Sequence, residues 1–486
     1  MSGKIITEGD KLLKADIARS QFNVDGSGIK IGIISTSFDA QGKAATDVAS
    51  GDLPGIGNPN GELTPVSVLK DITKDSPFAT DEGRALAQII HDIAPASTLL
   101  FHTAVDGDGK APPNTLDNEE SYATAVDALV KAGADVIISD IVFNTTFFQD
   151  AQAATAVEKA VSQGVVYVAA AGNNGNLSYQ SDYKTDGNVY SIGDRAFELY
   201  DFDSTSSVDL FQDITVSKDN TAIAPTLSWD DQIGGVTDQL KMFLLDSPNV
   251  PEFGENGNIL AISDSPNLNQ VNYPLQSLAY TPTKDEKLYL AIGRELNCEP
   301  PPNEIKWIST ANGLDRGVQY EYVNDTAQNA GSSTIFGPAN SEDAITVGAA
   351  GYNQNDDSST LEIKSYSSRG ASPILFDDQG DLLLNPNIQM KPEVTAPDVV
   401  STTFDLETSF NPFKGTSASA AHVAGVVALM EQAAGGSHVL SPAQVGMLLQ
   451  DTSIALSPEV GVPNATGFVQ ADLAVAAASG YNSVFC

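Results

Sequence analysis

The chain has 486 residues, enough for one large domain with an insertion or for two to three domains of ordinary size. Asp and Glu number 63 against 25 Lys and Arg, a formal net charge of −38, and a surface of that sign repels phosphate backbones and anionic bilayers, which argues against nucleic acid as a partner. No stretch is long or apolar enough to insert into a membrane, and the start, Met1-Ser2-Gly3-Lys4, lacks the apolar core of a signal peptide.

In chain order, Ile31 to Ile34 is a nearly continuous apolar run, the pattern of a parallel strand buried on both faces. Ala85, Leu86, Ile89, Ile90 and Ile93 recur at helical spacing and stop near Pro95. Strands over Leu99–Phe101, Val136–Ile141 and Val165–Ala170 alternate with helices over Tyr122–Ala132 and Ala151–Gln163, which implies a parallel sheet with right-handed crossovers. After about Tyr183 the pattern becomes short alternating segments divided by Gly, Asp, Asn and Pro, as in an antiparallel sandwich. The parallel pattern resumes at Ala344 and closes with Ser441-Pro442, an N-cap followed by proline at the first helical position. The expected organisation is a split α/β domain (1–183 and 336–486) interrupted by an inserted β-sandwich (184–335), which falls between the Asn173 turn and the Ser417 helix and should project beside the cleft, with stability or spacing as its first-expected role and substrate binding as the second.

Gly415 to Gly425 reads G-T-S-A-S-A-A-H-V-A-G and places Ser417 at the mouth of an Ala/Val-rich helix. A hydroxyl there sits in a positive field that favours developing negative charge, which suits acyl transfer. Taken alone, the same residues make an ordinary helix cap. The motif resembles the nucleophile segment of subtilisin-like serine proteases, with Ala421 where that family usually has proline. Lys391-Pro392-Glu393-Val394-Thr395-Ala396-Pro397, Ala344–Ala349 with Ser365–Gly370, and Val165–Gly175 resemble further family landmarks in the same order. The last of these maps the family's oxyanion asparagine onto Asn173. The resemblance covers roughly 20–180 and 335–480 and implies an α/β fold with helices on both faces of a parallel sheet.

The resemblance also implies a histidine and an aspartate that this chain lacks. Glu82, in Asp81-Glu82-Gly83-Arg84-Ala85, falls at the histidine position, and Ser35 takes the place of the acid that should end the first strand. None of the four histidines is placed to substitute. His91 lies roughly 13 Å along the helix from Glu82; His102 ends a strand, His422 matches a packed family position and His438 falls in a late loop. A carboxylate can serve as base when burial and a second acid raise its pKa. Sedolisins, relatives of the same fold, use a glutamate at this position with a second acid beside it. Their helix partner is absent here, since Leu86 stands four residues beyond Glu82. The expected second acid is Asp140, at the end of the Val136 strand, because ligand sites cluster at strand carboxyl ends; a loop cap or a calcium ligand is its plainer reading. Asp81 and Asp39 are weaker candidates.

The expectation is therefore a serine endopeptidase with Ser417 as nucleophile, Glu82 and Asp140 as acid pair, Asn173 in the oxyanion hole and an acid-shifted pH optimum. The alternative is a subtilisin-fold binding or scaffold protein that has lost catalysis; an acyl-transferring macrocyclase is a remoter third reading. The substrate would be a peptide or protein, no cofactor is required for the chemistry, and the family and the charge leave room for structural calcium. Asp106–Gly109 and Asn353–Asp357 read as solvated turns rather than cation loops. Cys298 and Cys486 define no disulfide framework. The resemblance leans toward an extracellular protein; oligomeric state is left open.

Overall fold

The computed structural model describes residues 3–105, 116–203, 205, 207–219, 221–263, 272–296, 300–310, 317–323, 333–352, 361–377, 379–404, 412–456 and 466–482. Both cysteines and both candidate calcium turns lie outside them.

The central sheet runs Ser67–Lys70, Thr98–Thr103, Lys30–Ser35, Val136–Ser139, Val166–Ala170, Ile345–Tyr352, Val394–Pro397 and Gly467–Phe468, with these neighbours parallel, and ends on Ile454–Ala455, which is antiparallel to the last of them. The period-two alternation of a strand sends its side chains into two cores. Ile31, Ile33, Val136, Ile138 and Val168 pack against the helices Glu82–Ile93, Thr416–Ala434 and Ala471–Asn482. Ile34, Ile137, Tyr167 and Ala169 meet the opposite layer, Leu116–Lys131 and Gln152–Ser162, through Tyr122, Val126, Leu129 and Val157. The Thr416–Ala434 helix is apolar around most of its circumference because it is buried, from Ala418 through Met430.

Between the two halves stand a four-stranded antiparallel sheet (Leu275–Ser277, Pro225–Trp229, Glu304–Ser309, Ser178–Asp182) and a seven-stranded one centred on Leu240–Leu245 and Lys287–Glu295. Their inner faces share one core, in which Leu227, Trp229, Ile305 and Trp307 of the smaller sheet meet Leu240, Met242, Leu244, Leu288 and Leu290 of the larger. The antiparallel strands begin at Ser178, upstream of the expected boundary at 183/184, because Ser178–Asp182 pairs with Glu304–Ser309. The strand expected to run to Ile141 ends at Ser139, so Asp140 lies just beyond it. The outer face of the smaller sheet docks on the α/β unit through Ile308, Phe147 and Phe336. There the buried Lys306 ammonium donates to Gln180 Oε1 and Ser333 Oγ.

Candidate active site

The carboxyl ends of parallel strands share one edge, and the site is built on it. The Lys30–Ser35 and Val136–Ser139 strands are paired with Ile34 opposite Ser139, so Ser35 and Asp140 are the next residues on adjacent strands. The Asp140 N–H reaches the Ile34 carbonyl at 3.4 Å.

Glu82 opens its helix one residue after Asp81, which sits in the left-handed region at φ 58°. The turn is locked from several sides. Asp81 donates its N–H to Ser37 Oγ at 2.7 Å, and its carboxylate accepts the Gln41 N–H at 3.2 Å. The Gly83 N–H donates to the Ser37 carbonyl at 2.9 Å. A Cβ at Gly83 would come within 2.4 Å of the Phe101 ring, so glycine alone lets the helix seat this close to the sheet. Below it, the buried Arg84 guanidinium donates to Asp47, which also accepts from Gln88 and Thr403.

Ser417 is the second residue of the Thr416–Ala434 helix. Its cap, Gly415, has φ 117°, and a Cβ there would stand 3.1 Å from Asn173 Nδ2. The closeness has a use. Asn173 Oδ1 accepts the Thr416 N–H at 3.0 Å, and the Thr416 hydroxyl accepts the Gly172 N–H at 3.0 Å. With its oxygen engaged, Asn173 keeps its Nδ2 as the free donor. The Gly415 N–H donates to Asp398 Oδ1 at 2.6 Å, while the Tyr366 hydroxyl donates to Asp398 Oδ2.

These parts converge on a cleft of about 360 Å³ whose lining includes Thr36, Glu82, Asp140, Asn173, Lys414 and Ser417. The Glu82 carboxyl lies beside the Asp140 carboxyl and the Ser417 hydroxyl on this cleft. Burial holds its pKa above the usual carboxylate value despite both partners. Burial, followed by the Glu82 charge, likewise pushes Asp140 well above the usual carboxylate range, and the neighbouring Ser35 hydroxyl only tempers this. Both Asp140 oxygens are shut off from solvent and accept no N–H or O–H among the described residues. Two carboxyls so placed do not both ionise readily; one proton between them satisfies the pair.

The sequence expectation thus has Ser417, Glu82, Asp140 and Asn173 in one cleft, and the structure brings all four there. The two weaker candidates are elsewhere. Asp81 is fully buried in the turn just described, and the exposed Asp39 accepts the Ala44 N–H at 2.8 Å. No histidine lines the cleft. His422 is buried between Thr7 Oγ1 (2.8 Å) and the Ala418 carbonyl (2.7 Å), and burial pushes it down to about 4; His91 is likewise pushed down to about 4. His102 bonds the Thr103 carbonyl and His438 the Gly164 carbonyl.

The insert borders the cleft, as its place in the chain between the Asn173 turn and the Ser417 helix leads one to expect, but sequence reasoning missed which of its residues do so: Ala224, Ser277, Leu278, Ala279 and Thr310, from the inserted strands and their connections. Lys414 was missed as well, although it stands only three positions before Ser417.

The profile of the Subtilase family matches residues 308–477, a span that contains Ser417. Among curated proteins, subtilisin-like protease SBT2.2 of Arabidopsis thaliana is 26% identical over 373 residues, covering 68% of this chain. The chain spans about 40% of the length of that relative. Among solved structures, the CspB protease of Clostridium perfringens superposes with a TM-score of 0.57 at 14% identity, over 97% of this chain and 99% of that one. The α/β unit therefore has the subtilisin-like fold, carrying inserted antiparallel sheets. Among the described residues no helix is long and apolar enough to cross a membrane, and no group of three His, Cys, Asp or Glu side chains is gathered as a metal cage.

Proposed function

We propose that the chain is a serine endopeptidase in which a carboxyl pair replaces the histidine. The observation that carries this reading is the Glu82 carboxyl facing both Ser417 and Asp140 inside one cleft. In the singly protonated pair Asp140 keeps the proton and donates it toward Glu82, which, as the acid beside the serine, stays ionised and accepts the Ser417 proton as its oxygen attacks a peptide carbonyl. The tetrahedral oxyanion is held by Asn173 Nδ2 and the Ser417 N–H, each such donor being worth about 3 kcal/mol. Glu82 then protonates the leaving amine, and water reverses the sequence on the acyl-enzyme. The chemistry uses no cofactor.

In this reading residues 1–183 and 336–486 form the hydrolytic unit and 184–335 the insert. Activity depends on the singly protonated pair, so the pH profile is a bell displaced toward acid, with apparent pKa values that belong to the pair. Fluorophosphonate labelling at pH 5 and pH 8, with Ser417→Ala as blank, tests it. Labelling at Ser417, faster at pH 5, is expected; no labelling at either pH gives the fold a binding or scaffold role instead. An extracellular location belongs to the same reading, carried by the resemblance, and fractionation of the source cells tests it.

A further inference from the structure

Lys414 is the one Lys or Arg among the described residues that line the cleft. It is half-buried, and among the described residues it makes no ion pair or hydrogen bond. Other buried cations in this acidic chain are matched. Arg294 donates to Asp238 and Lys391 reaches Glu393 at 2.8 Å. The acid on which Lys414 acts is Asp398, but both of that carboxylate's oxygens are already taken, one by the Gly415 N–H and one by the Tyr366 hydroxyl. The acid pair is governed by burial, by its two members, and by Ser417 and Ser35. A partly desolvated ammonium costs free energy unless an anion or water meets it.

We infer that Lys414 receives a carboxylate of the substrate, either an acidic side chain near the scissile bond or a free peptide C-terminus. This rests on the peptidase reading and narrows its substrate class. The apolar stretch Ile141-Val142-Phe143 and Leu278 would take neighbouring side chains, while Lys414 selects by charge. The net charge of −38 opposes acidic peptides at long range. At physiological salt that field is screened beyond about 8 Å, so the local cation decides.

The test measures peptide affinity in the full chain carrying Ser417→Ala, by fluorescence anisotropy. One arm walks a single Gln-to-Glu change along an N-acetylated, amidated peptide; the other compares the neutral peptide as amide and as free acid. One Glu position, or the free acid, is expected to bind about tenfold tighter than its neutral isostere, about 1.4 kcal/mol. The arm that responds identifies the source of the carboxylate. Adding Lys414→Gln should erase that ratio and Lys414→Glu should invert it, with melting curves confirming that both variants are folded. Equal affinities for acidic and neutral peptides, or a preference that survives Lys414→Gln, overturns the inference. Labelling of Ser417 in the native chain reads the peptidase proposal separately: labelling without carboxylate preference sinks only the lysine's role, whereas a Lys414-dependent preference without labelling keeps that role and sinks the peptidase.

Discussion

Replacing Glu82 by glutamine keeps the side chain's shape and removes its basicity, so it isolates the proton-acceptor role. In the native chain Glu82 faces both the serine hydroxyl and a buried acid, and nothing else lining the cleft is a histidine that could take over. A positioned general base contributes about 10²–10⁴-fold, so Glu82→Gln should slow attack by that factor, or about 3–5 kcal/mol of barrier. Loss of fold is not expected to confuse the result, because the change removes a charge whose burial is unfavourable and relieves the repulsion that raises Asp140. The assay is the second-order rate constant for fluorophosphonate labelling of Ser417 between pH 4 and pH 9, with thermal melting on the same samples. Asn173 and the serine N–H remain, so slow, nearly pH-independent labelling should persist. A folded Glu82→Gln protein that labels within about threefold of the native chain at every pH would refute the reasoning and reduce Glu82 to a bystander.

Asp140→Asn supplies a donor to Glu82 that no longer titrates; the alkaline limb of the labelling profile should vanish, and the melting temperature at pH 8 should rise because a buried acid is gone. Native stability should fall as pH rises from 6.5 to 8.5. Burial raises Asp398 to about 6 and Asp92 and Glu431 to about 8, so their contribution is full below the ordinary carboxyl range and is lost as pH climbs through those values. His91 and His422, depressed to about 4, act oppositely but only below their ordinary value of 6.5, whereas Lys306, pushed down to about 7 by burial, opposes the acids above pH 7 and only partly offsets them, so calorimetry in a Lys306→Met background separates the two. Gly415→Ala forces a Cβ into left-handed backbone 3.1 Å from Asn173 Nδ2, and should cost about 1–2 kcal/mol of stability and more than tenfold in labelling rate; a native-like rate would show that the Asn173 position is unimportant.

Much of the α/β frame could be read from residue order, because a strand buried on both faces has to be apolar throughout. Ile31 to Ile34 lies inside the observed Lys30–Ser35 strand, and the helix carrying Ala85 to Ile93 spans Glu82–Ile93. Ser417 and Asn173 were legible because each sits in a short segment whose turn chemistry fixes its direction. Asp140 was legible because it ends an apolar run at an edge where polar residues gather. Asp81 misled because an acid next to Glu82 in sequence points the opposite way in space, into Ser37 and Gln41. Ser178–Asp182 escaped notice since a run with four polar residues in five shows no apolar alternation, and its hold on the sheet comes from distant partners, with Gln180 bonded to Lys306 and Glu304. Which residues of the insert meet the cleft, and the Arg84–Asp47 pair, depend on contacts distant in the chain, and no local pattern announces those.

Adjacent parallel strands lie about 4.8 Å apart and here finish level with each other, Ile34 beside Ser139. A carboxyl missing from the tip of one can therefore be furnished by its neighbour with the backbone left in place. The chemistry of such an enzyme is a property of the rim of the sheet, not of any one strand that reaches it. On the peptidase reading, a search for a triad that goes strand by strand passes over this chain, whereas one that takes the residues along the rim as a set meets Asp140 one strand to the side of Ser35.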